Sequence, residues 1–467
     1  MMRTEEELLQ EYYRELSAEA EEVAELKLTT AVRRGIASRR RTSFKLKNRY
    51  TLATAAILAI VLLFSIPWAG GMLEKRGAVQ GAAVSHTTGE FEAYRQEAGS
   101  NITVSSAIEA GLIKRINGGT AEQNGYVLTV DGVSMDQKGI IILYSLKNNT
   151  KENAGVNSMT LTGSKMNPLS TSREMGKVIA PSRTTYGYEV MEWENRFGSL
   201  PDQVTLALEL NDYKEHTPAS ADSLLAKLSV AIPLDKDQIA GTGETISLDK
   251  KLSVDGQEIE IKEVYLAASG IYLDYTINPQ NSKQIFSLYN PHFLVGSGGD
   301  YTNLKLLGIS EEKAKTRLVF ANDSGTKGSV QFGIGGVLAL DKNATRLVID
   351  TDKEKIIQAP GTNLKISTHT TANGTTVVLA HYPEPGAKRI DDSITNSFML
   401  DTEFTDGAGK LHDTASNDFA IPPITESMQK ANLYFVGLGS NKYPQPLTFT
   451  ITSYPNLIKE RLSLQIR

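Results

Sequence analysis

Three kinds of hydrophobic pattern follow one another along the chain. Near the N-terminus the apolar residues recur at helical spacing. Leu8, Leu9, Tyr12, Tyr13 and Leu16 share one face, and Ala24, Leu28, Ala31, Val32 and Ile36 form a second stripe. Thr4-Glu5-Glu6-Glu7 reads as a capping box, and Ser17 can cap the next helix. That second helix begins acidic at Glu19, Glu21, Glu22 and Glu25 and ends basic at Arg33 and Arg34, which complements its dipole. Two such short helices bury little by themselves. The stripe is therefore either a solvated juxtamembrane face or a surface (Leu8, Tyr12, Leu16, Leu28, Val32) that docks into the groove of a cytoplasmic protein.

The second pattern is a continuous apolar run from Tyr50 to Trp68, YTLATAAILAIVLLFSIPW, with no charged residue. Leu52, Ile57, Leu62 and Phe64 run through it, and Tyr50 and Trp68 mark its ends, where amphipathic rings favour the headgroup layer. A helix of this length roughly matches a ~30 Å hydrocarbon core. The 49 residues before it make it too deep in the chain for a cleaved signal peptide. Arg33, Arg34, Arg39, Arg40, Arg41, Lys45, Lys47 and Arg49 precede the run, whereas only Lys75 and Arg76 follow closely. The positive side stays inside, so Arg39, Arg40, Arg41 and Arg49 set a cytoplasmic N-terminus and an extracytoplasmic remainder. The same arginines suit contact with anionic membrane lipid.

After a Gly/Ala/Ser/Thr-containing spacer, with a short helix expected around 90–97, the pattern changes to strands. β-branched and aromatic runs alternate with Gly- and Asp-containing turns. An opening pair of strands occurs three times, from Gly125, Gly256 and Thr362. A closing pair recurs from Tyr186, Gly328 and Ala431, each ending in a run of period two. Ser297-Gly298-Gly299-Asp300 and Asp406-Gly407-Ala408-Gly409 supply turns for a middle hairpin in the second and third units. The expected class is mainly β: tandem immunoglobulin-like sandwiches outside the membrane, one transmembrane helix and a short helical stub. The expected divisions are stub 1–49, membrane helix 50–69, spacer 70–100, and β units 101–245, 246–360 and 361–467. Gly241-Thr242-Gly243 and Pro360-Gly361 read as linkers, so protease should cut there first and leave three separately folded pieces.

Composition narrows the function. The 467 residues have no cysteine, which excludes disulfide scaffolds, thiol nucleophiles and Cys-ligated zinc. Residues 1–49 hold eleven Lys/Arg and nine Asp/Glu, a charge of +2, which leaves −7 of the net −5 on the remainder. Neither part has the basic excess of a nucleic-acid binder.

The segment from Ile102 to Asn148 resembles a known family. It contains Ser-Ala-Ile-Glu-x-Gly at Ser106 to Gly111, Val-Asp-x-Val at Val130 to Val133, and Leu-Tyr-Ser-Leu-Lys-Asn at Leu143 to Asn148. It resembles the Firmicute single-pass membrane proteins with a domain-of-unknown-function ectodomain followed by immunoglobulin-like domains, often encoded beside extracytoplasmic-function sigma factors. The spacer, membrane helix and basic flank match that layout. The resemblance implies an anti-sigma-like regulator or envelope-stress sensor in the cell membrane of a Gram-positive bacterium, with a sigma factor as partner of the stub. The His-x-x-x-Cys-x-x-Cys motif of zinc-containing anti-sigma factors is impossible here, and the stub is shorter than a sigma-enclosing helical domain.

No catalytic, cofactor or metal constellation is expected. Ser324-Gly325-Thr326-Lys327 and Ser427-Met428-Gln429-Lys430 match Ser-x-x-Lys, but the Ser-Asp-Asn and Lys-Thr-Gly partners of penicillin-recognising enzymes are missing. Gly333-Ile334-Gly335-Gly336 lies between strands, outside the setting of a phosphate loop. His369 and His381 flank a hairpin with no third ligand spaced to join them. Trp193 reads as core. The protein is thus expected to be no enzyme. It is a regulator whose ectodomain meets an envelope ligand or exported protein, or alternatively a structural or adhesive envelope protein.

Overall fold

The computed structural model describes residues 91–467, except 100, 117, 164–165, 172–177, 194–199, 214–222, 298–299, 313–314, 325–327, 373, 383–397, 416–423, 425–427 and 429–430. The membrane run with Tyr50, Leu52, Ile57, Leu62, Phe64 and Trp68 lies outside them. So do Arg39, Arg40, Arg41 and Arg49 and the stub face at Leu8, Tyr12, Leu16, Leu28 and Val32. Among the described residues no helix is long and apolar enough to cross a membrane. What they form is mainly β.

The first β unit opens with two helices, α1 (Glu92–Ala98) and α2 (Ile102–Glu109). Asn101 caps α2 by accepting from the Val104 amide at 3.3 Å. Ten strands follow: β1 (Lys114–Arg115), β2 (Thr120–Gln123), β3 (Tyr126–Met135), β4 (Gly139–Asn148), β5 (Ala154–Thr162), β6 (Met166–Thr171), β7 (Val178–Ile179), β8 (Thr184–Trp193), β9 (Gln203–Asp212) and β10 (Leu224–Pro233). One sheet runs β1-β3-β4-β8-β6, with β2 also on β3, and the other runs β10-β9-β5-β7. Period-two strands line the core between them: β9 contributes Val204, Leu206, Leu208 and Leu210, and β10 contributes Ala226, Leu228, Val230 and Ile232. β4 is apolar without alternation because both of its faces are covered. Ile140 and Ile142 enter that core, while Ile141 and Leu143 pack under Tyr94, Ala98, Val104 and Ala107 of the helices.

After the short helix α3 (Lys236–Ala240) come β11 (Glu244–Val254), β12 (Gln257–Ala267), β13 (Gly270–Ile277), β14 (Lys283–Tyr289), β15 (His292–Ser297), β16 (Asp300–Leu304), β17 (Leu306–Glu312), β18 (Lys315–Phe320) and β19 (Ser329–Asp341). One sheet runs β11-β12-β13-β18-β17, and the other is built on β19, which pairs with both β14 and β15, β16 lying beyond β15. Phe293, Phe320 and Phe332 meet at the centre of the shared core, with ring centroids 4.9 and 5.2 Å apart about Phe293.

The third unit holds β20 (Arg346–Asp350), β21 (Lys355–Gln358), β22 (Leu364–Thr371), β23 (Gly374–His381), β24 (Met399–Thr405), β25 (Leu411–Asp413), β26 (Asn432–Gly439) and β27 (Leu447–Ser453). Its sheets run β21-β20-β27-β24-β25 and β22-β23-β26. The chain then returns to the second unit, where β28 (Leu457–Gln465) pairs with β19 from Leu338↔Leu457 to Gln331↔Gln465.

The three opening hairpins form where the repeat placed them, as β3–β4, β12–β13 and β22–β23. The division drawn at 360 differs from the sheets. β20 and β21 belong to the third unit's sheet through β27, and Pro360-Gly361 is the bend between β21 and β22. The run from Gly328, read as one closing pair, splits between units: β19 lies in the second and β20 opens the third. The second unit's counterpart of β8–β9 is β18–β19. The third unit is thus inserted into the second, and Asn456 fastens the exit beside the entry by donating its side-chain amide to the Ala339 carbonyl at 2.7 Å. Alternation identifies a strand, but it does not say which sheet edge the strand joins.

Candidate functional site

The β3–β4 turn of the first unit meets the β12–β13 turn of the second. Asp136, 1% exposed, accepts from the backbone amides of Lys138 at 2.9 Å and Gly139 at 2.8 Å in its own turn, and of Ser269 across the junction at 3.1 Å. Burial pushes the Asp136 carboxyl above the ordinary carboxylate range, against these amide donors, which favour the anion. Trp193 is core, 2% exposed, and its indole N–H donates to the Asp136 carbonyl at 3.0 Å. A side chain on Gly139 would put its Cβ 2.5 Å from both Ser269 Oγ and Tyr272 OH, so glycine is what lets the two turns approach.

Behind the turns lies a buried network of charge. Arg317 of β18, 2% exposed, grips Asp274 of β13 with two prongs, Nε to Oδ1 at 2.6 Å and Nη2 to Oδ2 at 2.7 Å. Its Nη1 reaches across to Glu192 of β8 at 3.2 Å. Lys138 comes from the other side, with Nζ 2.7 Å from Glu263 and 3.7 Å from Asp274, and lies 5.3 Å from the Tyr265 ring centroid. Burial, then the charge of Arg317, lowers the pKa of Lys138, while the carboxylates oppose that shift. The Tyr272 hydroxyl lies 2.6 Å from Ser269 Oγ, and burial raises its pKa well above the ordinary phenol value. The Tyr265 hydroxyl donates to the Thr242 carbonyl at 2.7 Å and accepts from the Gln137 amide at 3.2 Å. Thr242 and Gly243, read from sequence as linker, are therefore held: a Cβ on Gly243 would sit 2.3 Å from the Tyr265 hydroxyl oxygen, and its φ is +81°.

Helix α2 is fastened to the same junction. The Asn322 amide donates to Thr103 Oγ1 at 3.1 Å, and the Ser324 amide donates to Ser106 Oγ at 3.0 Å. Ser106 Oγ donates in turn to the Asn322 carbonyl at 3.1 Å. Beside these contacts opens a cleft of about 690 Å³ between the two units, its apolar wall including Val133, Met135, Leu266 and Ile271.

The site residues expected for anchoring, topology and partner docking all fall outside the described residues. Of the other sequence features, Ser324 takes part through its backbone in the helix clamp. His369 and His381 stand apart on the β22–β23 hairpin, paired with Thr376 and Leu364 respectively. Among the described residues no group of three or more His, Asp or Glu is placed to hold a metal. Sequence reasoning missed the junction. Its signal was present as charges interrupting apolar runs: Glu192, with Glu189, in YEVMEW, Asp274 in IYLDYTI and Arg317 in TRLVF.

No protein-family model and no curated protein matches this chain. Among solved structures it is similar to one described as the crystal structure of the conserved domain protein from Bacillus anthracis. The identity is 11%, the match covers 76% of this chain and 92% of that one, and the TM-score is 0.34.

Proposed function

We propose that this is a single-pass membrane protein whose immunoglobulin-like extracytoplasmic units sense a state of the envelope and whose cytoplasmic stub reports it to an extracytoplasmic-function sigma factor. The topology rests on the uncharged run from Tyr50 to Trp68 and its basic flank. The regulatory role rests on the resemblance over Ile102–Asn148. The observation that carries the reading is the clamp on α2. This helix is the second of the two that open the first unit, and it is bonded through Thr103 and Ser106 to Asn322 and Ser324 of the second unit while it packs on β4 of the first. In this reading a change at the junction alters the hold on α2, and that is the change passed back along the chain. In this reading the ectodomain is not catalytic.

Co-purification and transcription test it. The stub, residues 1–49, is expected to retain a sigma factor through Leu8, Tyr12, Leu16, Leu28 and Val32, and its deletion to change sigma-dependent transcription. Failure of both overturns the reading. The buried ion network favours a second reading, a stiff structural or adhesive envelope protein, because it fixes the first two units against each other. Under that reading an unrelated anchor in place of residues 1–69 preserves function.

A further inference from the structure

We propose that α1 is a releasable latch: tension carried by the spacer peels it from the first unit while α2 stays clamped to the second. The chain that leads from the uncharged run at Tyr50 to Trp68 enters the described fold at Phe91 and Glu92, the start of α1. A pull from that side meets α1 first, and α2 bears load only after α1 has given way. The two helices are held differently. In α1 the buried residues are Tyr94 and Ala98, whereas α2 buries Thr103, Val104, Ser106 and Ala107. Thr103 and Ser106 also carry the bonds to Asn322 and Ser324 across the junction. Arg95 of α1 reaches Glu109 of α2 at 3.5 Å, an exposed pair that contributes little.

The seat of α1 lies toward the end where the load arrives. The Tyr94 hydroxyl donates to Asp131 Oδ2 of β3, and Ser145 Oγ of β4 donates to the same oxygen at 2.7 Å. The Tyr94 ring meets the Tyr186 ring of β8 edge-on, with centroids 5.1 Å apart, and the Phe91 ring lies 6.1 Å from Tyr94. Tension entering at Phe91 loads these contacts before it reaches Ala98, so they are broken in turn rather than together. Seven residues are too few to stay helical once undocked, so release also melts α1 and lengthens the tether. Val104 and Ala107 of α2 remain over Ile141 and Leu143, and the core between the two sheets, on the other face of β4, stays closed. The latch deepens the sensor reading by naming the sensed state as mechanical load, and it rests on that reading for the source of the pull. The release itself is a property of the purified chain.

Single-molecule force spectroscopy on the full chain in dodecylmaltoside tests it. The sequence has no cysteine, so His86→Cys with Lys151→Cys gives two unique handles, Lys151 lying exposed between β4 and β5. The first event is expected to be a reversible step of up to about 30 Å, the reach of residues 91–99, at lower force than any other. Tyr94→Phe keeps the ring and deletes the hydroxyl that Asp131 accepts from. It should shorten the latched lifetime at constant load about fivefold and leave the later steps unchanged. A variant that fails to fold loses the later steps as well, and the parent chain then decides alone through the length of its first step. A first step of about 60 Å, in which residues 91–109 leave together, overturns the proposal. So does the absence of any step before the sheets open, or an unchanged lifetime in folded Tyr94→Phe. The sigma-dependent transcription assay is read separately: its failure with the small step intact strikes the sensor reading and leaves the latch standing.

Discussion

Replacing Arg317 by alanine removes the two-pronged partner of Asp274 and the cation beside Glu192 from a site closed to water. Breaking a buried pair from one side costs about 3–5 kcal/mol, since the remaining charge stays desolvated. Arg317→Ala is expected to lose that much in urea unfolding at neutral pH. Replacing the whole set with apolar residues, as Arg317→Met, Asp274→Leu and Glu192→Met together, should recover most of the loss, and failure to recover any of it would place the importance of Arg317 outside the ion network. His381 gives a pH dependence of its own. Burial lowers its pKa below the usual 6.5, and its buried Nδ1 has no hydrogen-bond partner among the described residues. Between the folded value and 6.5 the unfolded chain takes a proton that the folded chain refuses, so the third unit loses stability as pH falls through that window. Thermal melts between about pH 7.5 and pH 5 should show the loss, and His381→Phe, which keeps a ring against Tyr454, should flatten it. Asp406 acts in a different window. Its hydrogen bond with His412 lowers its pKa, so its contribution is complete above the ordinary Asp value and fades only as pH falls through the lower folded one.

Among elements, β28 supplies an edge that the second unit lacks without it. Ile458, Leu462 and Leu464 pack against that unit's core, and Ile466 lies within it. Truncation after Asn456 should strip this cover, leave β19 with an open edge and abolish the cooperative melting of the second unit. Retention of the transition in the truncated chain would show that the pairing contributes little. Much of the element level was legible in the sequence. The opening hairpins are dictated by Gly-containing turns between apolar strands, and β9 and β10 by strict alternation. The pairing of β28 with β19 was not legible, because 115 residues separate Asp341 from Leu457 and nothing local records which edge a strand will find. The junction was hidden for a related reason. Asp136 and Lys138 lie in a turn, where charge is ordinary, and only the approach of the second unit buries them.

For the whole molecule, the contacts argue against three independent pieces. The first and second units share Asp136, Glu192, Arg317 and the α2 clamp, and Gly243 is packed under Tyr265 where a loose linker was expected. Scanning calorimetry should show the first two units melting together and the third separately. Because Asn456 sits beside Ala339, residues 343–455 can be excised and bridged by a few glycines. The excised chain should keep the joint transition and lose the other. Collapse of both would mean that the third unit holds the second together.

The insertion also orders the life of the chain as it is made. Synthesis proceeds from the N-terminal side, so every residue of the third unit emerges before β28 does. The first and third units can complete their sheets early, while the second waits with β19 uncovered along Gln331 to Leu338. A chain interrupted anywhere in the third unit leaves that waiting edge exposed, open to holdase chaperones and to proteases. Completion of the second unit is in effect a receipt for the residues that precede β28: its core closes only on a chain that has been carried through to the strand that seals it.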